Sequence, residues 1–203
     1  MIEAVFFDLD NTLVRTEWAA GVAVRHVVER YGRVFEKQDE DAVIGLPWET
    51  IFDNTLRKYG LPLDRSRLKA LVLEEKRKLL GEQTHALPGA VEAVVRCARR
   101  WPVAVVSGSY RGEVEEALQS LHVLGLLRFF LSNDDVVPGK PDPAPYREAA
   151  RRLGAEPRRC VVFEDSEMGL ASAVAAGMYA VAVEFANDAG LCLDAATERI
   201  PSL

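Results

Sequence analysis

Asp8 and Asp10 stand two positions apart, immediately after the apolar run Ala4 to Phe7. In an extended segment, side chains at that spacing point to the same face, so both carboxylates can reach one reacting group. One ionised carboxylate can attack a phosphorus atom. A neighbour kept protonated by its surroundings can give a proton to the leaving oxygen and later take one from water. Taken alone, DLDNT at 8–12 also reads as an Asx-rich turn, because Asp, Asn and Thr are ordinary turn residues.

Three other segments carry related chemistry. Glu164 and Asp165 follow an apolar run and offer oxygen ligands that suit a hard cation such as Mg²⁺; Asp165, Ser166 and Glu167 also read as the cap of a following helix. Ser107, Gly108 and Ser109 offer a hydroxyl and backbone N–H groups where a helix begins, an anion site in form, and Arg111 is grouped with them as phosphate- or substrate-binding. Lys140 lies in the Pro-rich loop GKPDPAPY, where an ammonium can neutralise a phosphate oxygen and restrain Asp8, or simply be solvated. Asp142 reads as a cap for the helix after Pro143.

These residues need a common scaffold, and the apolar pattern supplies one. Short apolar strands are expected at Ala4–Phe7, Val103–Val106, Phe129–Leu131, Cys160–Phe163 and Tyr179–Val183, alternating with helices at Ala90–Arg100, Glu113–Leu121, Pro143–Leu153 and Met168–Ala176. Pro88 is placed early in the first of these helices. The result is an α/β fold, a doubly wound, Rossmann-like parallel sheet, in which ligands sit beyond the carboxyl ends of the strands. Each chemical segment lies at such an end or in a loop between elements. An insertion after the first strand reads as helical throughout: Thr16–Arg30, with Trp18, Val22, Val27 and Val28 at near-helical spacing, then Trp48–Tyr59 and Asp64–Leu80. The expected division is 1–15 with 86–203 as the α/β core and 16–85 as the helical insertion. After Glu184 the pattern fades.

The chain has 203 residues, 49% hydrophobic and 28% charged, enough apolar surface for a sizeable core. Its formal net charge of −6 sets it against nucleic acid and anionic membranes as partners. The same field repels a phosphate ester unless a metal ion and a few placed cations reverse it locally. Cys97, Cys160 and Cys192 are odd in number and lie in apolar surroundings, so they read as reduced core thiols of a cytoplasmic protein. No stretch reaches the roughly 18 apolar residues of a membrane span.

Together, DLDNT at 8–12, SGS at 107–109, GKPDP at 139–143 and FEDS at 163–166 resemble the four motifs of the haloacid dehalogenase superfamily in order and spacing. The stretch EDSEMGLASAVAAGM resembles the branch that holds β-phosphoglucomutase and phosphoglycolate phosphatase. The resemblance implies that 16–85 is a mobile cap and that Asp8 is the nucleophile of a phosphatase acting on small phosphorylated metabolites. Asp10 would be the general acid and base, with Ser107 and Lys140 as phosphate anchors. The Asp8 carboxylate, Asp10 carbonyl and Asp165 carboxylate would hold Mg²⁺, with Glu164 in support. A monomer or small homo-oligomer is expected.

The departures bear on which reaction is run. Asn11 stands where the family usually has Gly, and Asn tolerates a left-handed backbone. The cap-hinge histidine of β-phosphoglucomutase corresponds by counting to Ala20, and its cap arginine to Trp48, which weakens a mutase reading. Asp10 argues against halide displacement, and nothing singles out a Schiff-base lysine of a phosphonate hydrolase. A phosphoacceptor signalling domain would not need the long helical insertion; a sugar phosphomutase of the β-phosphoglucomutase type and a non-catalytic phosphate-binding or regulatory protein are the remaining alternatives. Substrate contacts in the insertion would come from Gly45, Leu46, Pro47 and Trp48, with Lys76 or Arg77, unless Trp48 packs internally and the two cations are a solvated helix face.

Overall fold

The structure, a computed structural model, describes residues 1–203 except 17, 42, 44, 45, 82–84 and 186–189. The chain divides into two compact units, Thr16–Thr84 and the combination of Met1–Arg15 with His85–Leu203.

The first is helical: α1 Trp18–Arg30, α2 Lys37–Asp41, α3 Trp48–Tyr59 and α4 Arg65–Leu80. Helix α1 buries Ala19, Ala20, Ala23, Val24, Val27 and Val28, and packs on α4. The buried stripe therefore runs through small alanines, which let the helices approach closely, while Trp18 is about half exposed instead of lying in it. Helix α2 was not expected, because its sequence KQDED offers no apolar periodicity. Helix α3 stops at Gly60, whose positive φ of 56° lets its N–H reach the Leu56 carbonyl at 3.0 Å. Helix α4 starts as its sequence indicates, with the Asp64 carboxylate accepting from the Arg67 N–H at 2.7 Å.

In the second unit the strands β1 Ala4–Phe7, β2 Val103–Val106, β3 Phe129–Leu131, β4 Cys160–Glu164, β5 Tyr179–Val183 and β6 Glu198–Ile200 form one parallel sheet in the order β3-β2-β1-β4-β5-β6. Helices α5 Ala90–Ala98, α6 Arg111–Ser120, α7 Ala144–Leu153 and α8 Glu167–Ala175 cover its two faces. Val5, Phe7, Val103 and Val105 pack with Ala93 and Val94 of α5 and with Val114 and Leu118 of α6. Ala4, Phe6, Ala104 and Val162 pack with Tyr146 and Ala149 of α7 and with Leu170 and Ala173 of α8. Burial on both faces is why these strands are continuous apolar runs without alternation.

Several expectations are corrected. Pro88 precedes the N-cap Gly89 and so stands outside α5. Strand β6 extends the sheet beyond Glu184; its exposed Glu198 and Arg199 hide it from an apolar pattern, and pairing with β5 alone defines it. Cys160 is buried and Cys97 half-buried, but Cys192 is exposed. No helix among the described residues is long and apolar enough to cross a membrane.

Replacing Asp64 with Ala removes the α4 cap and is expected to lower stability by about 1 kcal/mol, read as a shifted urea midpoint. An unchanged midpoint would show that the cap contributes nothing.

Candidate active site

Strand order turns at β1, with β2 and β3 to one side and β4 to β6 to the other. Crevices open at such points beyond the carboxyl ends of the strands. Phe7 and Phe163 are register partners, and the ladder continues as the Asp8 N–H donates to the Phe163 carbonyl at 2.9 Å. Asp8 and Glu164 therefore leave neighbouring strands side by side. By alternation each continues the face of Phe6 and Val162, which α7 and α8 cover.

Lys140 enters between them. Its Nζ donates to Asp8 Oδ1 at 2.6 Å, to Glu164 Oε1 at 2.5 Å and to the Val106 carbonyl at 2.9 Å. Glu164 is 0% exposed, Asp165 4% and Asp8 6%. Glu164 Oε2 accepts from the Asp165 and Ser166 N–H groups, each at 3.1 Å, and from the Ser166 hydroxyl at 2.9 Å. Asp165 Oδ1 accepts from the Thr12 hydroxyl at 3.0 Å.

Burial pushes the Asp8 carboxyl well above the usual carboxylate range; Lys140 opposes this, while Glu164 and Asp10 add to it. For Lys140 burial works against its charge, yet Asp8 and Glu164 outweigh it and hold the ammonium above its ordinary value. Burial thus dominates at Asp8, and the two neighbouring carboxylates dominate at Lys140.

Asp10 is placed with the serines. Its Oδ2 accepts from the Ser109 hydroxyl at 2.7 Å and the Ser107 hydroxyl at 3.3 Å, and the Ser109 N–H donates to Ser107 Oγ at 2.9 Å. Gly108 lies exposed between them. Asn11 adopts φ 55°, the left-handed turn that its residue type permits, and the N–H groups of Thr12, Leu13 and Val14 all turn back to the Leu9 carbonyl. Arg111 is directed elsewhere: its guanidinium pairs with Asp135 and lies 5.0 Å from the Phe130 ring. Asp142 serves the backbone, accepting from the Ala144 N–H at 2.8 Å.

Two contributors escaped the sequence. Tyr146 donates its phenol O–H to Glu164 Oε1 at 3.1 Å. Thr12 lay within a recognised motif, but its bond to Asp165 spans 153 positions and has no local signal.

In the helical unit, Trp48 is buried and stacks on Phe52 at 5.4 Å, packing internally. Lys76 is not solvated; it is 4% exposed, with its ammonium 5.2 Å from the Trp48 ring centroid. Arg77 and Leu46 are exposed, Pro47 is the N-cap of α3, and Gly45 lies outside the described residues.

Oxygens of Asp8, Glu164 and Asp165 all lie within 4.8 Å of one another. When all three are ionised, these carboxylates against the Lys140 ammonium leave an excess of two negative charges among the described residues of a buried site. Hard oxygen donors with that charge deficit fit a small divalent cation such as Mg²⁺.

The carboxylate of Glu164 also explains a glycine. A β-carbon on Gly169 would fall 1.7 Å from Glu164 Oε1, so α8 can lie over the carboxylate only with glycine there. Gly169→Ala is expected to destabilise the protein by about 1–3 kcal/mol through overpacking. Gly112→Ala in α6, where the added carbon meets nothing within 4 Å, should be neutral or slightly stabilising in the same urea titration. Equal effects at both sites would refute the tight Glu164 packing.

The haloacid dehalogenase-like hydrolase family matches residues 5–183 of this chain. Fructose-1-phosphate phosphatase YqaB of Escherichia coli is 35% identical over 182 residues, covering 88% of this chain and 95% of that protein. The phosphorylated carbohydrates phosphatase of Thermotoga maritima is 30% identical over 197 residues, covering 96% of this chain and 91% of that one. Among solved structures, CbbY from Rhodobacter sphaeroides in complex with phosphate has a TM-score of 0.86 at 25% identity, over 100% of this chain and 95% of that one. The match begins within β1 and runs to the end of β5, taking in all four chemical segments. The chain belongs to the haloacid dehalogenase-like hydrolase family.

Proposed function

We propose that this phosphomonoester hydrolase releases phosphate from small phosphorylated metabolites in a Mg²⁺-dependent reaction through transient phosphorylation of Asp8. The observation that carries the reading is the buried group of Asp8, Glu164 and Asp165 gathered around one ammonium. An isolated set of buried carboxylates is costly, and a divalent cation would offset its excess negative charge.

Lys140 fixes Asp8 through Oδ1, which restrains the carboxylate for in-line attack on phosphorus. As the Asp8–phosphorus bond forms and the ester P–O bond breaks, Asp10 gives its proton to the leaving alkoxide. Asp10 then takes a proton from water, whose oxygen attacks phosphorus, releasing inorganic phosphate and restoring Asp8. Ser109 and Ser107 hold the Asp10 carboxylate ready for both transfers. Phosphate oxygens are received by the Ser107 hydroxyl, the Gly108–Ser109 backbone and Lys140. Mg²⁺, held by the carboxylates of Asp8 and Asp165 and the Asp10 carbonyl with Glu164 in support, would neutralise charge developing on the phosphoryl oxygens.

The unit Thr16–Thr84 is assigned the role of cap and of substrate choice. The phosphatases named above act on phosphorylated sugars, and that class comes first for this chain. Free Cys97, Cys160 and Cys192 accord with a cytoplasmic location.

Phosphate release from an aryl phosphate is expected to need added Mg²⁺ and to be abolished by a chelator. Asp8→Asn, shown folded by circular dichroism, should lose about a thousandfold or more in kcat. Equal turnover by Asp8→Asn and the parent would remove Asp8 as nucleophile, and full activity in chelator would remove the metal.

A further inference from the structure

We propose that Tyr146 is a positioning residue of this site, whose phenol O–H keeps the Lys140 ammonium shared between Asp8 and Glu164. The inference rests on the reading of Asp8, Lys140 and Glu164 as the reaction centre. Tyr146 is the largest fully buried side chain among the described residues, 0% exposed, in the first turn of α7. A phenylalanine would fill the same apolar space against Phe6, whose ring lies 6.4 Å away, and packing gives the hydroxyl no purpose. A buried hydroxyl needs a partner, and this one is aimed at Glu164 Oε1 at 3.1 Å.

That oxygen is the one that Lys140 also uses, at 2.5 Å. The ammonium lies 5.2 Å from the Tyr146 ring centroid, so ring and hydroxyl serve the same ion pair. Burial and the negative charge of Glu164 keep Tyr146 a phenol, with its proton available to donate. Glu164 Oε2 is held separately by Ser166 and two backbone N–H groups, so the carboxylate stays oriented whatever occupies position 146. The O–H therefore acts on charge more than on orientation. By drawing density from Oε1 it weakens the hold of Glu164 on Lys140, and the ammonium stays on Asp8 Oδ1 as well. Without it, Lys140 closes on Glu164. Asp8 then loses its restraint, and Glu164 is neutralised as a member of the carboxylate set.

The test is Tyr146→Phe in the full chain. With an aryl phosphate and Mg²⁺, kcat is expected to fall about tenfold, the worth of a hydrogen bond to a charged group, while KM stays within about twofold because Tyr146 touches no substrate. Without substrate, binding of Mn²⁺ followed by the electron paramagnetic resonance of the free ion should weaken by about tenfold. An unchanged kcat together with unchanged Mn²⁺ binding would overturn the proposal. So would a rise in KM alone, or a variant that fails to fold, since the hydroxyl would then serve substrate contact or stability. A parent protein that turns over no phosphate ester would defeat the functional reading above, yet the Mn²⁺ comparison would still decide the role of Tyr146.

Discussion

A single ammonium shared by two buried carboxylates is the constraint on which the rest of this molecule depends. Lys140 lies between Asp8 and Glu164 at 2.6 and 2.5 Å, where side-chain exposure is 11% for the lysine, 9% for Asp8 and 0% for Glu164. Removing one member of such a pair from a dry site typically costs about 3–5 kcal/mol, because the other charge is left uncompensated. The arrangement therefore demands a rigid frame. Parallel register between β1 and β4 sets the carboxylates beside one another, and the loop from Gly139 into α7 delivers the lysine. Gly169 lets α8 lie over Glu164, and Ser166, as the N-cap of that helix, bonds the same carboxylate. A structural device and a chemical one are here the same group of atoms.

Much of this was legible before any coordinate was known, for a physical reason. A sheet buried on both faces must be written in short apolar runs, and in such a fold ligands meet the chain just beyond those runs. Reading the residues after Phe7, Val106 and Phe163 thus locates Asp8, Ser107 and the neighbourhood of Asp165 directly. What the sequence hid are relations between distant positions. Tyr146 looks like core on an amphipathic helix, and only its approach to Glu164 gives it a chemical aspect. Gly169 looks like a small residue among alanines until the carboxylate beneath it is seen. Arg111 looks like a phosphate ligand from its place after SGS, but Asp135 and the Phe130 ring claim its guanidinium.

In the helical unit periodicity again identifies helices well and side-chain environments poorly. The pair Lys76 and Arg77 reads as one solvated face, yet successive positions on a helix are about 100° apart and need not share a fate. Lys76 turns inward, where Trp48 offers an aromatic face to its ammonium, while Arg77 stays in solvent. Strand β6 and helix α2 were hidden for the opposite reason, being short and polar, with tertiary pairing or a neighbouring helix as their support.

The charge of the whole chain and the charge of its site point in the same direction, which bears on how a phosphate can enter at all. A net charge of −6 and a buried excess of carboxylates both repel a dianionic ester. Lys140 alone does not reverse that, because Asp8 and Glu164 already share it. In the function proposed above, a divalent cation at the carboxylates would lower the local negative charge and free part of the ammonium for the incoming phosphate. Binding of metal and of substrate would then be coupled through Lys140, and any residue that alters how the ammonium is divided would alter both.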